Sequence, residues 1–310
     1  MGAFGQRSGR WRVGFLSPRR RPASLDDDYY GAFPRTLRAL GYVEGRNLQI
    51  EWRFAEGRYE ALPAMAAELV KMNVDAIVAP GPPAALAARD ATSTIPIIIV
   101  VSVDPVRAGL VASLARPGGN ITGLSNLGSQ LAAKHLELLR VVVPGIASVG
   151  VLLNGDNRAH DAVADNVAKA AAAARVGVVT VRAQTPMQID TAFDTLAARG
   201  VDAAMIALDP LFIQQESQIA TLALKHRLPS IFANREYAEA GGLMSYGQNQ
   251  VEIYQRAAAY LDRIFKGARP GDLPIEEPTT LELHINGRTA KALGLAIPHA
   301  LQMRVDRIIE

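Results

Sequence analysis

Short apolar segments alternate with helical segments along almost the whole chain of 310 residues, and this alternation limits the fold more than any other feature. Two such segments are "VDAIVAP" (residues 74–80) and "IPIIIVV" (residues 95–101). Continuous apolar runs of this length predict strands that are buried on both faces, as in parallel sheets covered by helices. We therefore predict an α/β fold built from doubly wound parallel sheets.

The alternation of strands and helices restarts once, after the glycine-rich segment "GGNITGLSN" (residues 118–126). We therefore expect two similar lobes rather than one large sheet. A long amphipathic helix (residues 249–267) and a single strand (residues 279–286) follow the second array. They indicate a chain that crosses between the lobes three times, which would make a three-strand hinge. The predicted N-terminal lobe is 11–125 plus 248–277, the C-terminal lobe is 126–247 plus 278–310, and 1–10 form a flexible tail.

The composition excludes several classes of function. The net charge is only +3, and much of the positive charge lies near the N-terminus, at Arg7, Arg10, Arg12, Arg19, Arg20 and Arg21. We interpret this run as a solvated basic tail, because a nucleic-acid surface would need a basic stripe through the fold. The chain has no cysteine, so it has no disulfide, thiolate nucleophile or cysteine metal site.

Motifs for catalysis and for cofactor binding are absent from the sequence. It contains no phosphate-binding P-loop, no dinucleotide-binding GxGxxG after a strand, no HExxH and no GxSxG. The five histidines do not form pairs at metal-ligand spacing, and we predict surface or capping positions for all of them: His135, His160, His226, His284 and His299. We expect neither an enzyme nor a bound cofactor or metal.

Two of the apolar strands end in the dipeptide Asp-Pro, at Asp104-Pro105 and at Asp209-Pro210. Aspartate is a good N-cap, and proline is tolerated at the first helical position, so both dipeptides predict the start of a helix. In parallel sheets, ligands bind beyond the carboxyl ends of the strands, where helix N-termini can hold an anion. Asp104 and Asp209 could therefore either cap helices only or face one ligand, for example by pairing with its ammonium group.

Other strand ends carry small polar or functional residues as well. Each would be a turn residue on its own, but together they indicate a ligand-binding edge: Ser17, Gly81, Ser102, Asn126, Asn154, Asn234, Arg235, Glu236, Ser245 and Tyr246.

Several long segments resemble one known family. They include "AFPRTLRALGYVEGRNLQIEWRFAEGR", "IPIIIVVSVDPVRAGLVASLARPGGNITGLS", "NREYAEAGGLMSYGQN" and "AAAYLDRIFKGARPGDLPIEEPTTLELHINGRTAKALGL". These motifs resemble the ABC-transporter substrate-binding proteins of the tryptophan/tyrosine type, a branch of the type 1 periplasmic binding proteins. The resemblance implies two α/β lobes that are joined by three hinge strands and close on a small ligand.

The resemblance also implies a set of ligand-binding residues. By position they are Ser17, Gly81, Pro82, Ala84, Ser102, Asp104, Asn126, Asn154, Asp209, Glu236 and Tyr246. The chain departs from the family pattern at two of these places. It has Gly81-Pro82-Pro83-Ala84 where the family has Gly-Thr-Pro-Ala, and the segment 154–158 reads Asn-Gly-Asp-Asn-Arg where the family has Asn-Pro-x-Asn-Pro.

The resemblance implies a non-enzymatic, monomeric receptor that captures a small carboxylate, such as an aromatic amino acid or a related aromatic or branched acid. It would deliver this ligand to an ABC permease in the membrane. The alternative is a ligand-sensing regulatory protein on the same fold. A third class, an α/β enzyme, lacks a nucleophile–base pair.

The expected location depends on export. No segment approaches the roughly 18 apolar residues of a membrane helix, and "MGAFGQRSGRW" lacks the apolar core of a signal peptide. A transported-solute receptor would be periplasmic, with an export signal upstream of Met1. Without such a signal we would expect a cytoplasmic protein.

Overall fold

The structure, a computed structural model, describes residues 10–126, 131–278 and 280–310. The chain divides into two compact units. Unit 1 comprises Met1–Asn126 and Gln250–Pro278, and unit 2 comprises Leu127–Asn249 and Thr279–Glu310. Of the predicted flexible tail, only Arg10 is described, and its guanidinium Nε donates to the carbonyl oxygen of Leu48 at 3.2 Å.

Unit 1 contains a five-stranded sheet in the order β2-β1-β3-β4-β5. All neighbouring strands in it are parallel, which confirms the predicted fold class. The strands are β1 (Trp11–Ser17), β2 (Leu48–Phe54), β3 (Ala76–Pro80), β4 (Ile97–Val103) and β5 (Ile121–Asn126).

The described residues of unit 1 form four helices, and the elements are numbered along the whole chain. They are α1 (Ala32–Ala39), α2 (Leu62–Lys71), α3 (Gly81–Ala91) and α10 (Gln250–Phe265). Short 3₁₀ turns lie at Tyr29–Gly31, Tyr59–Ala61 and Pro270–Asp272. Pro34 lies in the first turn of α1, where its missing N–H has no intrahelical partner to lose, so it does not interrupt the helix.

The sheet of unit 1 is buried on both faces, because alternate residues of each strand point in opposite directions. Phe15 and Val78 pack in one apolar cluster, to which α1 and α10 contribute. Leu16 and Ile77 pack in another, with residues of α2 and α3. The continuous apolar runs in the sequence therefore correspond to strands that are covered from both sides.

Unit 2 contains a seven-stranded sheet in the order β12-β11-β10-β9-β8-β6-β7. The strands are β6 (Ser148–Leu153), β7 (Gly177–Arg182), β8 (Ala203–Ile206), β9 (Ser230–Phe232), β10 (Met244–Gln248), β11 (Leu281–Asn286) and β12 (Arg307–Ile309). One pair, β10 with β11, is antiparallel, so this sheet is not purely parallel. The chain between these two strands runs through unit 1, so it is not a crossover helix that would impose parallel pairing.

Both faces of this second sheet are also covered. Its helices are α4 (Ala132–Val142), α5 (Ala159–Ala174), α6 (Pro186–Ala198), α7 (Pro210–Gln214), α8 (Glu216–Lys225), α9 (Arg235–Glu239), α11 (Gly287–Leu293) and α12 (His299–Gln302). Val151 packs with residues of α4 and α5, whereas Leu152 packs with residues of α6 and α8. Within the described ranges, none of the helices combines the length and apolarity that a bilayer span requires.

Candidate functional site

Ser17, the last residue of β1, is fully buried. Its hydroxyl oxygen lies 2.9 Å from the hydroxyl of Tyr30 and accepts the backbone N–H of Arg19 at 3.1 Å. Burial raises the pKa of Tyr30, so this phenol stays protonated and can donate to Ser17. In that arrangement both lone pairs of Ser17 are used, and its own hydrogen is left to donate to an acceptor group.

Arg19 lies two residues after Ser17. From the basic run we expected it in a solvated tail, but it is not part of one. Only 11% of its side chain is exposed, and its guanidinium binds both carboxylate oxygens of Asp28, at 3.0 and 3.4 Å. The rings of Tyr29 and Tyr30 lie 4.6 and 4.7 Å from its central carbon. The tail interpretation was wrong for Arg19, because a guanidinium can be buried when it stacks on aromatic rings and pairs with a carboxylate. The sequence signal is the "DDDYY" that follows.

The segment Gly81–Ala84 forms the first turn of α3, and Gly81, Pro82 and Ala84 are all buried. Gly81 has a φ of +78°, a conformation that favours glycine. The first turn of a helix normally presents free N–H donors. Pro82 and Pro83 supply none. The family pattern has proline only at the second of these positions, so Pro82 leaves this turn with fewer donors for an anion than that pattern provides.

Asp104 does not start a helix, so that prediction was wrong. Residues 105–109 form turns, Asp104 is exposed, and its carboxylate accepts the N–H of Arg107 at 3.0 Å. Asp104 itself has a φ of +40°, and Gly109 follows with a φ of +67°. An N-cap normally has an extended backbone, which Asp104 lacks, and the left-handed Gly109 then ends the run of right-handed residues that a helix needs.

Two more candidates lie at the ends of β4 and β5. Ser102 pairs with Ser125 in the sheet register, and its side chain lies outside the described part of the chain. Asn126 is buried, and its side-chain amide donates to the carbonyl oxygen of Val101 at 3.4 Å.

Asp209 begins α7, as the sequence predicts, and its side chain has no exposed surface. Its Oδ1 accepts the N–H of Leu211 and the amide of Asn154, both at 2.9 Å. Its Oδ2 accepts the amide of Asn157 at 2.9 Å. Asn154 and Asn157 are the positions of the segment 154–158 at which this chain keeps the asparagines of the family pattern, and both hold this buried carboxylate.

His160, in the first turn of α5, contacts the same group of residues. Its Nδ1 accepts the backbone N–H of Asn154 at 2.8 Å, and its Nε2 lies 3.2 Å from the carbonyl oxygen of Leu208 and 3.7 Å from Asp209 Oδ2. Burial lowers the pKa of His160, and the neighbouring Asp209 carboxylate opposes that effect in part.

Glu236 and Tyr246 are half-buried residues of α9 and β10. Glu236 Oε1 lies 4.0 Å from the guanidinium of Arg235. The carbonyl oxygen of Tyr246 lies 2.7 Å from Nε2 of His135, and burial lowers the pKa of His135 to about 4. His135 is thus neutral at pH 7 and donates to Tyr246.

The histidines were expected at the surface or at caps, which is wrong for three of them. His135, His160 and His284 are buried. A buried imidazole is stable when its ring nitrogens find polar partners. The partners of His135 and His160 include Tyr246 and Leu208, which are 111 and 48 positions away, so local sequence patterns do not reveal them. Among the described residues, no group of three or more His, Asp or Glu could hold a metal ion.

Sequence and structure comparisons identify the relatives of this chain. The family model described as ABC transporter substrate binding protein matches residues 22–309. A tyrosine-binding protein of Clostridioides difficile is 29% identical over 272 residues, which are 88% of this chain and 78% of the relative. A conserved domain protein of Vibrio cholerae superimposes with a TM-score of 0.90 at 29% identity, covering 96% of this chain and 99% of the other. The ABC domain of Streptococcus pneumoniae in complex with L-Trp gives a TM-score of 0.88 at 25% identity, covering 97% of this chain and 100% of the other.

Proposed function

The chain belongs to the family of ABC transporter substrate-binding proteins, and on this premise we propose that it binds an aromatic amino acid or a related aromatic or branched carboxylate. The observation that carries the proposal is the match, over 97% of this chain, to a domain that was solved in complex with L-Trp. The tyrosine-binding relative supports the same ligand class.

The candidate residues supply the chemistry that such a ligand needs. An amino acid presents a carboxylate, an ammonium group and a side chain. The hydroxyl of Ser17 and the N–H of Gly81, which the prolines leave in the first turn of α3, are donors for the carboxylate. Glu236 offers a half-buried carboxylate for the ammonium group, and the phenol of Tyr246 offers a ring for the side chain. Asp209 is already surrounded by donors, which favours its capping role over direct contact with the ligand.

The proposal includes delivery to a membrane permease, a periplasmic or extracellular location and a monomeric state. Closure of two lobes on the ligand stays a prediction from the sequence. Solution scattering checks it, because closure would reduce the radius of gyration when a saturating ligand is added.

A thermal-shift screen with the protein amino acids tests the ligand class. A ligand at about 100 times its dissociation constant should stabilise the protein by about 2.7 kcal/mol. We expect shifts with L-tryptophan or L-tyrosine. Two matched controls identify the recognised groups: L-tryptophan methyl ester lacks the carboxylate, and indole-3-propionate lacks the ammonium. A shift with indole-3-propionate equal to that of L-tryptophan would mean that the ammonium is not recognised. No shift with any amino acid or aromatic acid would contradict the proposal.

A further inference from the structure

The imidazole of His160 connects two separate turns of unit 2. The first turn follows β6 and contains Asn154, and the second precedes α7 and contains Leu208. The ring is 99% buried and lies against Phe212, with ring centroids 6.4 Å apart. The backbone N–H of His160 also donates to the carbonyl oxygen of Asn157, at 2.9 Å. One side chain therefore contacts both segments that hold the carboxylate of Asp209.

The hydrogen-bond partners determine the state of this ring. The backbone N–H of Asn154 can only donate, so Nδ1 must carry a lone pair. The carbonyl oxygen of Leu208 can only accept, so Nε2 must carry the hydrogen. Both bonds form together only in the neutral ring with its proton on Nε2.

We propose that His160 is a positioning residue, whose neutral ring holds the turn after β6 and the turn before α7 in one arrangement and so fixes Asn154 and Asp209. The contacts by which His160 holds the two turns all lie within unit 2. The consequence for ligand affinity rests on the function proposed above.

At low pH, protonation of His160 should break its contact with the turn after β6. The charged groups around the ring are Asp209 from the turn before α7, Asp161 from α5 and Arg182 from β7. A proton on Nδ1 would remove the acceptor for the Asn154 N–H and place a cation 3.7 Å from Asp209 Oδ2, in competition with the Asn157 amide. Burial disfavours that cation, so we expect the change only below the ordinary histidine pKa of about 6.5.

Nuclear magnetic resonance of the wild-type imidazole nitrogens tests the state of the ring without any variant. We expect the Nε2–H tautomer at pH 7, and protonation only at a pH below about 6.5. A proton on Nδ1, or a ring that titrates at or above the ordinary value, would overturn the proposal.

Hydrogen exchange at residues 154–161 and 207–213 tests the connection between the turns. His160→Phe keeps an aromatic ring against Phe212 but has no acceptor and no donor. We expect about tenfold faster exchange in both turns, the effect of losing one or two hydrogen bonds. His160→Gln, which retains an acceptor and a donor, should restore slow exchange in part. The control is His226→Phe, because His226 ends α8 and pairs with Asp194. Unchanged exchange in either turn of His160→Phe would contradict the proposal.

Calorimetry with L-tryptophan and L-tyrosine then tests the consequence for binding. We expect His160→Phe to weaken binding about tenfold, with His160→Gln in between and His226→Phe unchanged. The wild-type affinity should also fall as the ring protonates, and this pH dependence should be absent in His160→Phe. Faster exchange with unchanged affinity would reject the positioning role. If the wild-type protein binds neither amino acid, the proposed function fails, whereas the exchange data still decide whether His160 holds the turns.

Discussion

Asp209 accepts three hydrogen bonds without exposing any surface, whereas Asp104 is exposed and accepts one from a neighbouring N–H. The amides that bind Asp209 cannot rotate freely. Asn154 Oδ1 accepts the N–H of Asp156 at 3.0 Å, and Asn157 Oδ1 accepts the N–H of Ala159 at 3.1 Å. Both NH₂ groups are therefore held towards Asp209, which must present acceptors on both of its oxygens.

We expect Asp209→Asn to lower the free energy of unfolding by about 1–3 kcal/mol. An asparagine at a simple cap would be nearly as good as aspartate. Here its NH₂ group would face a donor, whichever oxygen it replaced, and would leave a buried polar group unsatisfied. Urea denaturation measures the change.

The matched control is Asp104→Asn, which should change stability by less than about 0.5 kcal/mol. Asparagine adopts the left-handed backbone of Asp104 readily, and its side-chain oxygen can still accept from Arg107. Equal losses in the free energy of unfolding of the two variants would mean that the buried hydrogen bonds of Asp209 add no more to stability than the exposed one of Asp104.

At the residue scale, the sequence predicts what depends on near neighbours. The capping role of Asp209 follows from Asp-Pro and the strand before it. Its contacts to Asn154 and Asn157 bring together residues about 50 positions apart, and no local pattern encodes them. The burial of Arg19 differs, because its partners Asp28, Tyr29 and Tyr30 follow within eleven positions and the run "DDDYY" was a local signal for it. The other members of the predicted set of ligand residues stay predictions.

Among the elements, α4 and β10 are joined by a hydrogen bond from His135 to the carbonyl oxygen of Tyr246. The depressed pKa of His135, about 4, has a consequence for stability. Between pH 4 and about 6.5, this residue binds a proton in the unfolded state but not in the folded state. Stability should therefore rise with pH through this window and fall as the pH decreases.

We expect this contribution to reach at most about 3 kcal/mol, the free-energy equivalent of a pKa difference of about 2.5. Urea unfolding of the wild type and of His135→Gln, measured from pH 4 to 7, isolates it. Glutamine can donate to Tyr246 but does not titrate, so the variant should lose less stability on acidification. Carboxylates and His160 contribute equally to both proteins. Parallel pH profiles would show that His135 titrates normally in the folded state.

The pairing of β4 with β5 depends on a glycine. Gly123 has a φ of +132°, and a Cβ atom there would overlap the carbonyl oxygen and the nitrogen of Ile99, next to the register shift in β4. We expect Gly123→Ala to lower the free energy of unfolding by about 3 kcal/mol or more, since the strands would have to separate. Chemical denaturation measures this loss.

Gly118→Ala is the control for backbone conformation alone. Gly118 has a φ of +69°, and a Cβ atom there would meet no other atom within 4 Å. This change should lower stability by about 1–2 kcal/mol. Equal losses in the two variants would mean that β4 and β5 can adjust to the side chain.

At the element scale, the sequence predicts the strands well, because a short continuous apolar run is typical of a strand that helices cover on both faces. Strand direction is not encoded in such runs, so the antiparallel β11 was not predicted. The prediction of a helix after Asp104 was wrong, because Asp-Pro can begin a turn as well as a helix.

For the whole molecule, long sequence motifs identify the family, but they do not identify the ligand. Relatives with one fold bind different molecules, because binding depends on a few side chains at the strand ends. The changes at Pro82 and in residues 154–158 fall at such positions. For this reason the sequence alone predicts the class of ligand and leaves its identity to the binding experiments.

The two units are interleaved along the chain, because unit 1 ends with Gln250–Pro278 and unit 2 ends with Thr279–Glu310. Helix α10 supplies Ile253, Tyr254 and Leu261 to the core of unit 1. Strand β11 supplies Leu283 and Ile285 to the core of unit 2. Each core therefore needs chain that lies beyond Asn249.

We expect a chain that ends at Asn249 to lose both units, although it keeps four-fifths of the sequence. It would lack an entire buried helix in unit 1 and two sheet strands in unit 2, and each loss removes several buried apolar side chains worth about 1.5–3 kcal/mol apiece. Such losses are comparable with the usual stability of about 5–15 kcal/mol. A chain that ends at Asp306 is the control, because it loses only the short edge strand β12, whose residues are mostly exposed. Near-ultraviolet circular dichroism and urea titration should show cooperative unfolding for the control and none for the shorter chain. A cooperative transition in the chain that ends at Asn249 would mean that one unit folds without its C-terminal segment.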